Sequence, residues 1–233
     1  MSQNLEAALT VLDAVAAHPD CGLSELARHT GLNKSRVYRI LTVFADQGYV
    51  RQDADAGYRL GLQALALGQM ARQQFDRLRE IEFVVQQHLG DVDENVQCRV
   101  RTEGEVVQIF AKKSQQRLRV ESQVGNRRPL GRGASGLLLL SYAPEDIRTS
   151  RASDLGIGEA RLAEIRDQGY AESLGELTSG IWALAVPLLD TAGNCDTALS
   201  VSVPEPRADA SYRATLRKRL RDAAAAIRLP EES

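Results

Sequence analysis

The chain has 233 residues, 43% hydrophobic and 26% charged, with a formal net charge of −2. That composition excludes a disordered chain, gives no bulk cationic signal for nucleic acid, and is long enough for two modest domains with cores of their own. No apolar run approaches the roughly 18 residues of a membrane span and Met1–Glu6 has no basic leader, so a cytoplasmic protein without a membrane partner is expected.

In chain order, Leu5, Ala8, Leu9, Leu12, Val15 and Ala16 form an apolar stripe, a first helix ending near His18-Pro19. Ser24 is placed to cap a short helix that buries Leu26 and Ala27, and Gly31 follows where a left-handed residue is wanted. Asn33 or Ser35 caps the next helix. On it Val37, Ile40, Leu41 and Phe44 fall at i, i+3, i+4 and i+7, one apolar face. Ser35, Tyr38, Arg39 and Thr42 repeat that spacing on the opposite face, with Lys34 and Arg36 beside them in the first turn, and no acid lies between Asn33 and Ala45. A cationic, hydrogen-bonding helix face suits the major groove, where N-terminal residues of a recognition helix reach base edges.

Gly48 ends that helix. Tyr49–Gln52 and Tyr58–Leu60 then read as two short strands around the turn Asp53–Gly57, a wing whose Arg51 and Arg59 are in reach of phosphates or the minor groove. Residues 1–61 are thus expected to be a winged helix-turn-helix binding double-stranded DNA, with a core of Leu5, Leu9, Leu12, Leu26, Val37, Ile40, Leu41 and Leu60. The expected DNA contacts are Ser24, Asn33, Lys34, Ser35, Arg36, Tyr38, Arg39, Thr42, Arg51 and Arg59.

Residues 62–74 continue as a linker helix with Leu62, Leu65, Leu67 and Met70, and a second domain is expected over 75–233. Leu78, Ile81, Val85 and Leu89 start its first helix. The period then changes to two: Val96, Cys98 and Val100 alternate, Glu103-Gly104 turns, and Val106–Ala111 returns. Leu118, Val120 and Ser122 suggest a third strand closed by Gly125. Gly133–Leu140 becomes a buried helix and Glu159–Gln168 another. Ile181–Leu189 and Thr197–Val203 are strands joined by the hairpin turn Asp190–Asn194. Tyr212–Ile227 closes the chain as a helix with Leu216, Leu220, Ala224 and Ile227 inside and Arg213, Arg217, Lys218 and Arg221 outside. The fold class expected is α+β, an antiparallel sheet with flanking helices. Cys21, Cys98 and Cys195 form no Cys-x-x-Cys pair and make no metal spacing with the three histidines, so free thiols without metal or cofactor are expected.

Four stretches resemble the IclR family of bacterial transcriptional regulators over nearly the full chain: Leu26–Ser35 with Arg39–Leu41; Tyr58–Gly61; Val124–Leu130; and Gly169–Ala171 followed by Gly175-Glu176, Gly180 and Ala185–Pro187. The resemblance implies a GAF-like effector-binding domain, a small organic effector that is a carboxylic or aromatic acid, and dimers or tetramers on a palindromic operator serving a metabolic operon. It places the effector at three positions: Ala134 and Ser135 at the start of the helix after Pro129-Leu130; the strand residues Ile181 and Ala183; and Ser200 with Ser202. Alternation supports the last two independently, since these small residues share a strand face and leave room, whereas Trp182 points to the other side. Arg132 joins these positions through its own chemistry, a guanidinium able to pair with a carboxylate, and Ser173 as the residue at the family's acid position. The chain departs from the family's common pattern at Gly131-Arg132, at Leu137 and at Ser173, where an acid is common.

A hydrolase is the competing class, because Gly133-Ala134-Ser135-Gly136 is similar to a nucleophile elbow. That motif needs Gly two residues after Ser, where Leu137 stands, and a histidine base; two of the three histidines lie in the DNA-binding half. No catalytic residue is expected. A DNA-binding protein without a ligand is the other alternative, and it leaves about 150 residues of the second domain without a role.

Overall fold

The computed structural model describes residues 2–53, 57–120 and 123–227. The chain divides into two compact units, Met1–Phe75 and Asp76–Ser233.

The first unit opens with helices α1 (Ser2–Ala17), α2 (Leu23–Thr30) and α3 (Lys34–Asp46). A two-stranded antiparallel hairpin follows, β1 (Val50–Gln52) and β2 (Tyr58–Leu60), then helix α4 (Leu62–Gln74). Gly31 ends α2 at φ 69°, the left-handed region that a β-carbon disfavours. Asn33 is the cap of α3, its Oδ1 accepting from Arg36 N–H at 2.8 Å. Ser24 does not cap α2: the helix begins at Leu23 behind Gly22, and Glu25 reaches back to accept from Gly22 N–H at 3.1 Å.

The core of this unit is Val11, Val15, Leu26, Ala27, Val37, Leu41, Val50 and Tyr58, with Leu12 and Ile40 packed at its edge. The expected core residues Leu5, Leu9 and Leu60 are not in it; they are 65%, 55% and 43% exposed. On α1 the inward row is Ala7, Val11 and Val15, four residues apart. Both this row and the leucine row are apolar, so periodicity alone cannot choose between them. The hairpin is anchored to the α1–α2 connection: Tyr58 N–H donates to Cys21 O at 2.9 Å and Asp20 N–H to Tyr58 O at 3.1 Å. A β-carbon on Gly57 would meet Cys21 O at 2.1 Å, so only glycine permits this approach. The wing tip, Ala54–Ala56, lies outside the described residues. No residue of α4 is buried, and Leu62, Leu65, Leu67 and Met70 are all exposed.

The second unit begins with α5 (Asp76–Leu89), β3 (Asn95–Arg101), β4 (Glu105–Lys112) and β5 (Arg127–Pro129). Three helices follow, α6 (Gly133–Ser141), α7 (Glu145–Leu155) and α8 (Glu159–Gln168). It ends with β6 (Ala171–Leu174), β7 (Ile181–Leu188), β8 (Thr197–Pro204) and α9 (Ala210–Ala226). The strands form one antiparallel sheet in the order β5-β4-β3-β8-β7-β6. On one face Val96, Cys98, Trp182, Leu184, Val201 and Val203 pack with Ile81, Leu216 and Leu220 of α5 and α9. On the other, Val106, Ala185 and Ala198 pack with Leu138 of α6 and Leu162 and Ile165 of α8. A sheet covered on both sides has no solvent face, so polar residues on its central strands are buried, Gln97 and Ser200 among them.

The segment Leu118–Val120 is not a strand, and Ser122 lies outside the described residues. Side chains fix it instead of a ladder: Asn95 Nδ2 donates to Val120 O, and Arg207 Nη1 to Leu118 O at 3.1 Å. The third strand is β5, only three residues long. Helix α7 has only Ala152 buried and β6 is a four-residue edge strand, so neither carries a periodic apolar signal. Ala223, rather than Ala224, is the fully buried alanine of α9. Nor are its arginines an outer basic face. Arg213 stacks over Trp182 at 5.3 Å and Arg217 over Tyr170 at 4.3 Å while pairing with Glu172; Arg221 donates to Gln168 O. Only Lys218 of the four makes no such contact among the described residues.

Candidate DNA interface and effector pocket

Helix α3 presents the face expected of it. Lys34, Ser35, Tyr38, Arg39 and Thr42 are exposed while Val37 and Leu41 are buried behind them. Lys34 and Arg39 form no ion pair among the described residues, so their charges face outward uncompensated. Thr42 Oγ1 donates to Tyr38 O at 3.0 Å, which leaves its oxygen to accept. Ser24 and Asn33 are exposed at the starts of α2 and α3.

Three of the expected cations are engaged otherwise. Arg36 turns back onto α1, its Nη2 donating to Gln3 O at 2.8 Å and Asn4 Oδ1 at 3.0 Å. On the wing, Arg59 forms a bidentate pair with Asp20, Nη2 to Oδ2 at 2.8 Å, and Arg51 lies 3.3 Å from Asp53. Hydrogen bonding from Arg59 holds the Asp20 carboxyl below its ordinary value. The acids that hold Arg51 and Arg59 are local, and both arginines remain about half exposed.

The second unit contains a pocket between the sheet and the start of α6, and all eight residues expected at the effector site line it. Arg132, Ala134 and Ser135 come from the start of α6. Ser173 comes from β6, Ile181 and Ala183 from β7, Ser200 and Ser202 from β8. Register explains the convergence: Ser173 pairs with Ala183 and Ala183 with Ser202, so one row of small residues crosses three strands. The free space is about 70 Å³. A water needs about 10–15 Å³ by that measure, so the space matches roughly five waters or one small organic molecule. A wider depression of about 490 Å³ lies by Arg77, Arg101, Arg148 and Asp196. There Arg77 pairs with Asp196 and Arg148 with Glu159, while Arg101 makes no ion pair among the described residues.

The start of α6 is partly occupied by the chain itself. Gly133 N–H donates to Glu176 Oε2 at 2.9 Å and Ala134 N–H to Ser173 Oγ at 3.0 Å, so two of the helix's unpaired donors are taken. Leu177 closes over Gly133, where a β-carbon would meet its Cδ1 at 2.6 Å. Reading the sequence missed Gln97, Arg99 and Arg128, which also line the pocket. Gln97 and Arg99 alternate with Val96, Cys98 and Val100 and so read as a solvent face. The signal that was available is the chain's return as β8, whose small serines pair beside them: Gln97 lies opposite Ser200. Burial draws Arg99 down to about 10, with the nearby Arg128 charge adding to the effect. Among the described residues no group of His, Cys, Asp and Glu could hold a metal ion. Cys98 and Cys195 are buried free thiols, each pushed up to about 12 by burial.

Comparison with known proteins places both units. Residues 5–54 match the IclR helix-turn-helix domain and residues 158–229 the C-terminal domain of the bacterial transcriptional regulator IclR. The chain is 29% identical over 211 residues to the HTH-type transcriptional regulator KdgR of Escherichia coli, covering 84% of this chain and 80% of that one. An IclR transcriptional regulator from Alicyclobacillus acidocaldarius has the same fold, with a TM-score of 0.84, 24% identity and 97% of each chain covered. So has an IclR homolog from Microbacterium hydrocarbonoxydans solved with 4-hydroxybenzoate, at a TM-score of 0.77 and 23% identity, covering 96% of this chain and 97% of that one.

Proposed function

Because the chain belongs to the IclR family of bacterial transcriptional regulators, we propose that α3 reads a palindromic operator and that a small organic acid in the second unit's pocket shifts that binding. The observation that carries the first part is the exposed, acid-free face Lys34–Ser35–Tyr38–Arg39 backed by the buried Val37 and Leu41. Lys34 supplies a phosphate contact and Arg39 a base contact. The wing arginines contribute charge that Asp20 and Asp53 partly balance.

The protein acts as a two-fold dimer, since one recognition helix reads only a few base pairs. The exposed rows Leu5 and Leu9 on α1 and Leu62, Leu65 and Met70 on α4 support self-association, being large apolar side chains that the chain itself leaves uncovered. The second unit is a GAF-like sensor. The small-residue row and the pocket's arginines support an anionic ligand, as does the 4-hydroxybenzoate found in the Microbacterium homolog. The cytoplasm is the site of action, and no described helix is long and apolar enough to cross a membrane. To regulate, the ligand must bind the DNA-competent and DNA-released states unequally.

The experiment is a thermal-shift screen of carboxylic acids, neutral amides and dicarboxylates on the full chain, followed by operator binding with each hit. A ligand at about a hundred times its dissociation constant stabilises the protein by roughly 2.7 kcal/mol. Hits should vanish in Ala183→Leu, which fills the pocket, and should change operator affinity. Hits that persist in Ala183→Leu put the site elsewhere, and a screen with no hit removes the sensor role.

A further inference from the structure

The pocket carries a positive charge that no carboxylate among the described residues balances. Arg99 runs from β3 beneath the first turn of α6. Its Nη2 donates to Gln108 Oε1 at 2.9 Å, and its Nη1 reaches Ser135 Oγ and Ser200 Oγ only at 3.5 Å. Its Nε is buried without a hydrogen-bond partner. No carboxylate pairs with it among the described residues, and Arg128 stands close enough to repel it. Burying a charge costs free energy unless a counter-charge and hydrogen bonds accompany it.

The one acid lining the pocket among the described residues, Glu176, does not serve as that counter-charge. It caps α6 through Gly133 N–H and makes no ion pair with Arg99, Arg128 or Arg132 among the described residues. Its charge also disfavours a second anion at the helix start. Two residues before Arg99 on β3, and lining the same pocket, is Gln97. Its carboxamide Oε1 is likewise buried and has no partner among the described residues, while its Nε2 lies 3.4 Å from Ser202 Oγ. A buried acceptor without a donor costs free energy just as a buried donor does. The pocket thus holds an unsatisfied cation and an unsatisfied acceptor side by side.

We propose that the effector is a hydroxy-carboxylic acid, its carboxylate seated on Arg99 under Ser135 and Ser200 and its hydroxyl donating to Gln97 Oε1. This rests on the pocket being the effector site. Arg99 is the specificity-determining residue: its planar fork takes a carboxylate in two parallel bonds, which the long serine contacts do not match. Gln97 ranks compounds that already carry the carboxylate.

Titration calorimetry on the full chain tests this with two matched sets. The hydroxy acids are 4-hydroxybutyrate and 4-hydroxyphenylacetate, butyrate and phenylacetate lack the hydroxyl, and the hydroxy amides lack the charge. In the wild type each hydroxy acid should bind roughly 10- to 150-fold more tightly than its amide and roughly 2- to 10-fold more tightly than its deoxy acid, the ranges for charged and neutral hydrogen bonds. Arg99→Met should erase the preference for acid over amide, and Arg99→Lys should restore part of it. Gln97→Met should erase only the preference for the hydroxyl. The ligand-free Arg99→Met chain should keep the far-ultraviolet circular dichroism of the wild type, so that a lost preference reads as lost recognition and not as lost fold. An acid-over-amide ratio unchanged in Arg99→Met overturns the proposal and leaves the pocket as the effector site. If no compound of either set binds the wild type, the proposal is overturned too; the effector reading falls with it only if amides and dicarboxylates in the wider screen also fail to bind.

Discussion

Asn33 joins the stability of α3 to its use on DNA, and two substitutions separate the two. In Asn33→Ala the helix loses its cap, the bond from Arg36 N–H to Asn33 Oδ1 at 2.8 Å. The backbone bonds from Arg36 and Val37 to Asn33 O, at 3.0 and 3.1 Å, remain, and the exposed side chain leaves no cavity. The cost is therefore that of a cap alone, about 1 kcal/mol, which is roughly a fivefold change in the local opening equilibrium. Asn33→Asp keeps the cap and places a negative charge at the positive end of the helix, worth about 0.3–1 kcal/mol in its favour. It also sets a carboxylate beside Lys34, at the start of the helix whose face is assigned to DNA. Native-state hydrogen exchange of the α3 amides should therefore run about fivefold faster in Asn33→Ala and no faster than wild type in Asn33→Asp. Operator affinity should show the reverse order, Asn33→Asp losing at least about tenfold and Asn33→Ala less, since phosphate repulsion acts only in the former. Wild-type affinity in Asn33→Asp, with the exchange ranking as stated, would refute the placement of α3 against DNA.

Lys34→Ala should weaken binding to all duplexes alike and lower the slope of log affinity against log salt by about one, read by anisotropy at several salt concentrations. Leu41→Ala deletes a fully buried side chain between the helices of the first unit and should cost about 2–5 kcal/mol, visible as a lost or shifted first transition in calorimetry together with lost DNA binding. Hydrogen bonding from Arg219 holds the Asp91 carboxyl at about 2, below its ordinary 3.8. A depressed folded-state value means that this pair stabilises fully above pH 3.8 and is lost as the pH falls through about 2. An NMR titration of the Asp91 carboxyl should show that midpoint in the wild type and a rise toward 3.8 in Arg219→Ala.

What the sequence revealed follows from where one pattern admits one reading. Val37, Ile40, Leu41 and Phe44 have polar residues opposite them, so α3 and its outer face were legible. On α1 two apolar rows coexist, and the sequence alone favours the larger Leu5 and Leu9, whereas Ala7, Val11 and Val15 are the buried row. The strand residues lining the pocket were legible because serines and alanines at alternate positions mark a face with room, and the strand register brings them together. Arg99 and Gln97 were not, because a charged residue alternating with valines reads as solvent-facing until the second helical layer is known. The occupied start of α6 depends on Glu176, more than 40 residues away in sequence, and no local spacing announces it. Helix α7 hid for the opposite reason, having a single buried residue.

The most direct test of the account is an anisotropy titration of the full chain against a palindromic duplex selected from a random library, beside a scrambled duplex of equal composition. The account predicts a preference for the selected duplex of about a thousandfold or more, reduced in Arg39→Ala by about 1–3 kcal/mol, the worth of a base contact. Equal affinity for the two duplexes, or an Arg39→Ala chain that discriminates between them as well as the wild type, would contradict it.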